Sequence, residues 1–282
     1  MSSGIQLGVI SATGLPDTAE IGTDNYLVAV DGRVTWLEGR SERSEPGGGT
    51  GTLVAIARGF GRRGELAATS AVRVMGELYR PGLPGNPTRA MLDYIQRAHA
   101  RLRARTMQSG PLDLGTSLTV AWVLEGRVHW VQVGGTRLYL FRNDKLVRLT
   151  PIHTQHEFEM RDGITSVGPD TGLVQAFIWG SEGLGDDAAL RLEEGLDAGT
   201  EYLAPGDRLV LCTDGVTDAV DDVSMYDVLR NVPDPQHAAV GLGERARARG
   251  SRSHATAMVL RVNRVPARTI PVEREGSAKT FY

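Results

Sequence analysis

The sequence has little of what marks a secreted, membrane or nucleic-acid-binding protein. A single cysteine, Cys212, excludes an internal disulfide, and no apolar run approaches the length of a membrane span. The net charge is only -3, so the composition does not demand a polyanionic partner. The first residues lack a charged leader followed by an apolar export segment. These absences predict a cytoplasmic protein whose partners include neither nucleic acid nor membrane.

The glycine-rich turn in residues 53–67, LVAIARGFGRRGELA, places a cation where a site usually has an anion or a nucleophile. The apolar start predicts a buried strand, and a helical pattern begins near Gly64. Strand ends that lead into short glycine turns are common places for a site. Here Arg58, Arg62 and Arg63 are candidates for binding an anion such as phosphate. The alternative for Arg62 and Arg63 is a solvated loop ahead of the helix.

The order of strand and helix patterns predicts a layered α/β sandwich. Short strand patterns come first, followed by two helical patterns at Glu65–Tyr79 and Thr88–Met107. Residues 117–150 then predict consecutive antiparallel strands, because very short turns join them. The glycine-rich segment 41–52 lacks the lysine of a phosphate-binding loop and is interpreted as a flexible connection. Strands on both sides of a helical pair predict an α/β (α+β) sandwich of mainly antiparallel sheets.

Four segments follow one another along most of the chain: GTSLTVAWV, VGGTRLYLFRNDKLVRLT, APGDRLVLCTDGVTD and HATAMVLRV. Together they resemble the bacterial form of the type 2C metal-dependent serine/threonine protein phosphatases. The resemblance runs from about Gly14 to Val262, so we expect a phosphatase-2C-like domain over residues 1–262. The tail at 263–282 is expected either to be disordered or to add a strand to a partner.

The resemblance implies a four-layer α-β-β-α sandwich with two central, mainly antiparallel sheets. It also implies a chemistry in which two manganese or magnesium ions activate a water that attacks a phosphoserine or phosphothreonine ester. Compared with that family, Asp214 stands at a metal-ligand position, Gly59 at a carbonyl ligand and Asp24 behind a metal ligand. Arg58 occupies the position at which the family has the aspartate that bridges both ions. Other positions that bind metal or phosphate in the family carry Ala19, Thr23, Gly135, Ser253 and His254.

A different alignment would place Asp31, in VAVDG, at the bridging position. An amphipathic helix is expected directly after the bridging residue, and none follows Asp31, whereas one begins at Gly64. Asp-Gly between two strands is also an ordinary hairpin turn. The alignment through Arg58 is therefore preferred.

A guanidinium at this position predicts that an ion pair replaces the metal centre. Two unit charges about 4 Å apart interact by roughly 4 kcal/mol at an effective dielectric near 20, so a dication would meet roughly twice that repulsion from Arg58. Arg58 can instead form a charge-assisted fork with Asp214, Asp24 or both. No catalytic residue is assigned and no cofactor is expected. Manganese or magnesium would bind at Asp214, Gly59 and Asp24 only if a residual site exists.

Three functions fit this pattern to different degrees. The preferred one is a catalytically impaired phosphatase-2C-like module that binds a phosphoprotein or kinase partner in a regulatory or scaffolding role. The second is an active manganese- or magnesium-dependent phosphatase with a reduced metal site. The third is an N-terminal nucleophile hydrolase that uses Ser2, and no other residue supports it.

Overall fold

The computed structural model describes residues 4–12, 23–30, 33–36, 41–47, 51–61, 63–79, 85–109, 114–151, 177–179 and 196–265. The first of its two antiparallel sheets contains β1 (Ile5–Ala12), β4 (Ser41–Gly47), β8 (Arg137–Arg142), β9 (Lys145–Arg148), β12 (Arg208–Cys212) and β13 (Ala255–Val262). Their spatial order is β4-β1-β13-β12-β8-β9. The two central strands of this sheet, β13 and β12, are nearly continuous apolar runs.

The second sheet is also antiparallel and contains β2 (Asp24–Val30), β3 (Arg33–Trp36), β5 (Thr52–Phe60), β6 (Leu114–Leu124), β7 (Arg127–Val133) and β11 (Asp197–Tyr202). Their order is β11-β7-β6-β5-β2-β3. A short strand, β10 (Phe177–Trp179), pairs with the beginning of β6. The predicted hairpin that joins β2 to β3 is consistent with the antiparallel pairing of these two strands.

Helices cover the outer face of each sheet. Two long helices, α1 (Gly64–Leu78) and α2 (Pro87–Ser109), pack on the second sheet. Three further helices, α3 (Asp214–Thr217), α4 (Asp222–Asn231) and α5 (Pro235–Ala248), pack on the first. The four layers confirm the predicted α-β-β-α sandwich. No helix in the described ranges combines the length and apolarity needed to cross a membrane.

Apolar side chains fill all three interfaces between these layers. Leu7, Ile56 and Met258 are fully buried where the two sheets face each other. On the outer side of the second sheet, Trp122 packs against Tyr79, with 5.9 Å between ring centroids. Burial of this kind stabilises the layers by about 25 cal/mol per Å² of apolar surface. Because hydrophobic attraction has no preferred direction, it does not by itself fix how far one layer is shifted or rotated over the next.

Local sequence features explain how α4 and α5 begin. The Asp221 carboxylate accepts a hydrogen bond from the Ser224 backbone N–H at 2.7 Å, and Asp234 caps α5 in the same way. Pro235 occupies the first turn of α5, where its missing N–H costs nothing. A Cβ added at Gly8 would lie 2.3 Å from the Gln236 backbone, so only glycine allows α5 to approach β1 this closely.

One sequence prediction about local structure is wrong. Residues 41–47, interpreted as a loop, form the edge strand β4 and pair with β1 along its length. An edge strand needs no apolar alternation, which is why its polar sequence resembles a loop. Asp214 is the first residue of α3. The domain boundary near residue 262 stays a prediction, because residues 266–282 lie outside the described part.

A polar contact joins the two sheets next to the first residue of β12. Arg142, in the first sheet, donates to both oxygens of Asp207, at 3.0 Å and 2.6 Å. The same guanidinium donates to Glu201 at 3.3 Å and to the Tyr202 carbonyl, both in the second sheet. We call this group the Arg142 contact.

Candidate functional site

Arg58 lies between two carboxylates that come from different sheets. On the second sheet, Asp24 of β2 is the direct cross-strand neighbour of Arg58 near the end of β5. Asp214 lies two residues after the end of β12, which belongs to the first sheet. The Arg58 Nε atom is 2.5 Å from Asp214 Oδ1, and its Nη1 atom is 3.4 Å from Asp24 Oδ1. The structure therefore contains the charge-assisted pairing that the sequence predicted, with the shorter contact to Asp214.

The guanidinium has further oxygen neighbours and little exposure. Its Nη1 atom also lies 3.4 Å from the Thr23 hydroxyl and 3.4 Å from the His254 carbonyl oxygen. The Arg58 side chain is 18% exposed. Burial acts to lower the pKa of Arg58, but Asp214 and then Asp24 raise it, and the pKa ends above its ordinary value. Arg58 therefore carries a permanent positive charge at the centre of this group.

Asp24 is buried, and hydrogen-bond donors surround it. Its Oδ2 atom accepts from the Thr213 hydroxyl at 2.8 Å and from the Thr256 hydroxyl at 2.9 Å, while Oδ1 faces Arg58. Burial raises the pKa of Asp24 to about 7, against the lowering effects of Arg58 and the two hydroxyls. Both oxygens of this carboxylate are thus occupied by groups of the chain itself.

His254 fixes the direction of a hydrogen-bond chain that ends on Asp24. The Asp24 backbone N–H donates to His254 Nδ1 at 3.1 Å, so that nitrogen carries no proton. The proton is therefore on Nε2, which donates to the Ser11 hydroxyl at 2.9 Å. Ser11 in turn donates to Thr256 at 2.8 Å, and Thr256 donates to Asp24. In this tautomer His254 cannot accept a proton from Ser11, so the pair is not an activated nucleophile.

Asp214 is more accessible than Asp24. Its side chain is 29% exposed, and its Oδ1 atom also accepts from the Gly215 backbone N–H at 2.8 Å. A Cβ added at Gly215 would lie 2.1 Å from the His254 carbonyl oxygen, so α3 begins in direct contact with the start of β13. This close packing holds the Asp214 carboxylate against Arg58.

The other residues predicted for this site are less closely assembled. The Gly59 N–H donates to the Thr23 carbonyl at 2.9 Å, and a Cβ at Gly59 would lie 1.9 Å from the Gly64 oxygen. Arg63 is exposed directly before α1 and makes no side-chain cap there. Arg62 lies outside the described residues. The anion-binding role of Arg58, Arg62 and Arg63 stays a prediction.

Sequence reasoning missed the hydroxyl groups that hold Asp24. These are Ser11, Thr213 and Thr256, which belong to three different strand ends of the first sheet. The only signal for them is their place beside recognisable motifs, since Thr213 precedes Asp214 and Thr256 lies in Ala-Thr-Ala. Some residues of this chain occupy positions that bind metal or phosphate in the family. Among them, Thr23 and His254 contact Arg58, and Ala19 lies outside the described residues.

The candidate metal ligands in contact with Arg58 are the carboxylates of Asp24 and Asp214. Within the described ranges, no three or more His, Cys, Asp or Glu side chains form a group that could hold a metal ion. The candidate ligands therefore number fewer than an octahedral cation pair ordinarily uses.

Comparison with known proteins identifies the family. The family model described as Protein phosphatase 2C matches residues 47–242, and the chain belongs to that family. The serine/threonine protein phosphatase PstP of Mycobacterium tuberculosis is 28% identical over 216 residues, covering 73% of this chain and 40% of PstP. The chain thus spans about two fifths of the length of that relative. The serine/threonine phosphatase stp of Listeria innocua is 25% identical over 189 residues, covering 64% of this chain and 72% of stp.

Solved structures support the same fold. The crystal structure of PstP/Ppp from Mycobacterium tuberculosis has a TM-score of 0.72 at 21% identity, covering 92% of this chain and 99% of that one. The catalytic domain of PstP in complex with 2 manganese ions has a TM-score of 0.69 at 20% identity, with coverages of 92% and 100%. At these identities the likeness establishes the sandwich architecture alone.

Proposed function

We propose that this chain is a catalytically impaired protein-phosphatase-2C-like module that binds a phosphoprotein or a kinase partner in a regulatory or scaffolding role. The observation that carries the proposal is the position of Arg58, whose guanidinium contacts Asp24 and Asp214 at once. A fixed cation then stands where the family's metal chemistry would require mobile ones.

The donor set supports impairment, because it does not fit a pair of divalent ions. Magnesium and manganese bind oxygen ligands, usually with one or two carboxylates for each ion and water for the rest. Here Asp24 and Asp214 each have one oxygen on Arg58, and the second Asp24 oxygen accepts two hydroxyl groups. A dication about 4 Å from the guanidinium would meet roughly 8 kcal/mol of repulsion at an effective dielectric of 20.

Two considerations support a phosphorylated or kinase partner. The relatives are named serine/threonine phosphatases, so a surface that accommodates phosphorylated segments is the property most easily retained when catalysis is lost. Arg63 is exposed directly before the N-terminus of α1, and both the guanidinium and the helix N-terminus favour negative charge. The proposed partner is therefore a phosphoprotein or a kinase.

The second candidate is an active phosphatase with a reduced manganese or magnesium site. It is favoured by the partial exposure of Asp214, whose contacts with the described residues fall on Oδ1. A cation bound there would use Asp214, the Gly59 carbonyl and Asp24, and it would supply an activated water.

Calorimetric titration with manganese separates the two candidates when combined with a para-nitrophenyl phosphate assay. For the wild type we expect neither micromolar binding nor metal-dependent turnover. Arg58→Asp should bind manganese more tightly, yet without full activity, because Thr23 and Ser253 still supply no carboxylates. Arg63→Asp is the matched control, since it makes the same charge change outside the ion pair.

Micromolar manganese binding by the wild type, with turnover that rises with metal, would establish the active alternative. If Arg58→Asp changes neither metal binding nor thermal stability, the pairing of Arg58 with Asp214 has no role in either.

A further inference from the structure

The strand β11 lies at one edge of the second sheet, and β7 is its one neighbour among the described strands. The two-residue turn at Glu125 and Gly126, with φ of 45° and 75°, makes Leu124 and Arg127 a hydrogen-bonded pair. Hydrogen-bonded and non-hydrogen-bonded pairs then alternate along β7, and the Leu203 N–H agrees with this pattern by donating to the Gly126 carbonyl at 2.8 Å. Every second residue of β11 therefore directs its backbone N–H and C=O away from β7.

The residues of this open edge are exposed as well as unpaired. They are Ala198, Thr200 and Tyr202, and the last is 60% exposed. The Tyr202 carbonyl accepts from Arg142, whereas the other outward backbone groups of the three have no hydrogen-bond partner within the described residues. The opposite face of β11 points into the sandwich, where a Cβ added at Gly199 would lie 2.5 Å from the Trp130 ring. The exposed face of this edge thus carries no charged side chain.

The other edge strands in the described ranges have features that oppose pairing with a further strand. β9 carries Lys145 and Arg148, β4 contains Pro46, and β3 has four residues and begins with Arg33. Positive charge, proline and short length are usual devices that keep an edge from pairing. β11 has six residues and contains no lysine, arginine or proline, and its Glu201 carboxylate is already paired with an arginine. Of these edges, β11 is the least protected.

We propose that β11 pairs with β11 of a second copy of this chain, antiparallel and about a twofold axis at Thr200. This register places Thr200 opposite Thr200 of the second copy, and Ala198 opposite Tyr202 on both sides of the axis. Threonine pairs are favourable cross-strand neighbours, and the small Ala198 leaves room for the tyrosine ring. On the other face Glu201 lies opposite Gly199, so no carboxylate is directly opposite another. The strand is therefore complementary to itself in shape and charge.

This dimer joins the second sheets of two copies into one continuous sheet. Two strands, β6 and β7, separate β11 from β5, which carries Arg58, so the pairing leaves the Arg58 centre uncovered. Interfaces smaller than about 1,200 Å² form weak and transient complexes, and a single pair of six-residue strands belongs to that class. We therefore expect a dissociation constant of roughly 10–100 µM.

Analytical ultracentrifugation of the full chain over a range of concentrations tests the pairing. Thr200→Lys and Thr200→Glu each bring two like charges together at the axis, and each should weaken the dimer by more than about tenfold. Mixed in equal amounts, the two variants should associate at least as tightly as the wild type, because opposite charges then meet. Val147→Lys is the matched control, since it adds the same charge to the exposed edge strand β9, and it should keep the wild-type dissociation constant.

A wild type that stays monomeric up to about 1 mM would overturn the proposal. So would a dimer that persists in both single variants, or a mixture of the two variants that does not associate. Deletion of residues 266–282 tests another occupant of the edge: a monomeric wild type and a dimeric truncated chain would show that the tail, and not a second copy, covers β11. None of these results depends on manganese binding or phosphatase turnover, so this inference and the proposed function succeed or fail separately.

Discussion

Arg58 and Arg137 are both largely buried guanidinium groups near the same turn, but their surroundings differ. Arg58 contacts two carboxylates, and Asp24 is held in turn by hydroxyl groups. Arg137 has the Tyr139 hydroxyl and the Cys212 thiol as neighbours, and the exposed Asp218 carboxylate lies within its electrostatic reach but beyond salt-bridge distance. A buried arginine that contacts two carboxylates directly is held more firmly than one whose carboxylate is more distant. Burial alone would not have distinguished the two.

The strand pairing explains this difference. Because β2 pairs with β5 in the register that sets Asp24 opposite Arg58, the second sheet itself supplies a counter-charge. The register of β8 with β12 sets Cys212 opposite Arg137 and supplies none. The thiol does not compensate, since burial raises the pKa of Cys212 to about 12 and keeps it neutral.

Replacing each arginine by methionine should give the largest contrast between the two regions. Above the pKa of Asp24, Arg58→Met leaves the Asp24 carboxylate buried without its cation, and we expect the free energy of unfolding to fall by about 3 kcal/mol. Arg137→Met removes a cation whose carboxylate neighbour, Asp218, is exposed and beyond salt-bridge distance, and should cost less than about 1 kcal/mol. Denaturant unfolding in the presence of a chelator measures both. Equal losses would mean that the two guanidinium groups are equally well paired.

A pH dependence is expected of the Arg58 region through Asp24. The folded state holds a proton on Asp24 up to about pH 7, whereas the unfolded chain releases it near 3.8. Between these two pKa values the folded state binds more protons than the unfolded state does. The free energy of unfolding therefore falls as the pH rises, and we expect Asp24 to account for a loss of about 2 kcal/mol between about pH 5 and about pH 7.

Unfolding free energies of the wild type and Asp24→Asn across this pH range test the expectation. The wild type should lose stability more steeply with rising pH than Asp24→Asn does. Parallel profiles for the wild type and Asp24→Asn would show that Asp24 does not titrate in this window.

A smaller effect should follow from breaking the hydrogen-bond chain behind Asp24. Ser11→Ala leaves the His254 Nε2–H without an acceptor in a buried place, and we expect a loss of about 1 kcal/mol. Thr200→Ala removes an exposed hydroxyl that lies 3.0 Å from His129, and it should change stability by less than about 0.5 kcal/mol. Thermal or denaturant unfolding of both variants provides the comparison. If the two losses of stability are equal, the buried hydrogen-bond chain stabilises the fold no more than an ordinary surface contact does.

The sequence predicted the sandwich and the contact of Arg58 with Asp24 and Asp214, because short motifs in collinear order specify both. It could not predict Ser11, Thr213 and Thr256 as partners of Asp24. Ser11 and Thr256 are 245 positions apart, and small hydroxyl residues on separate strands produce no periodic pattern. The surroundings of Arg137 were missed for a similar reason, since Cys212 is found opposite Arg137 only once the register of β8 with β12 is known.

The Arg142 contact has a consequence for the geometry of the Arg58 region. Apolar surfaces press the two sheets together but do not resist sliding or rotation of one over the other, because hydrophobic attraction has no preferred direction. Arg142 joins the sheets at one extremity of β12, and Asp24 with Thr213 joins them at the other. Two separated directional anchors suppress sliding and rotation together. Substitutions in the apolar interior should therefore loosen the sandwich without changing how Asp24 and Asp214 face each other.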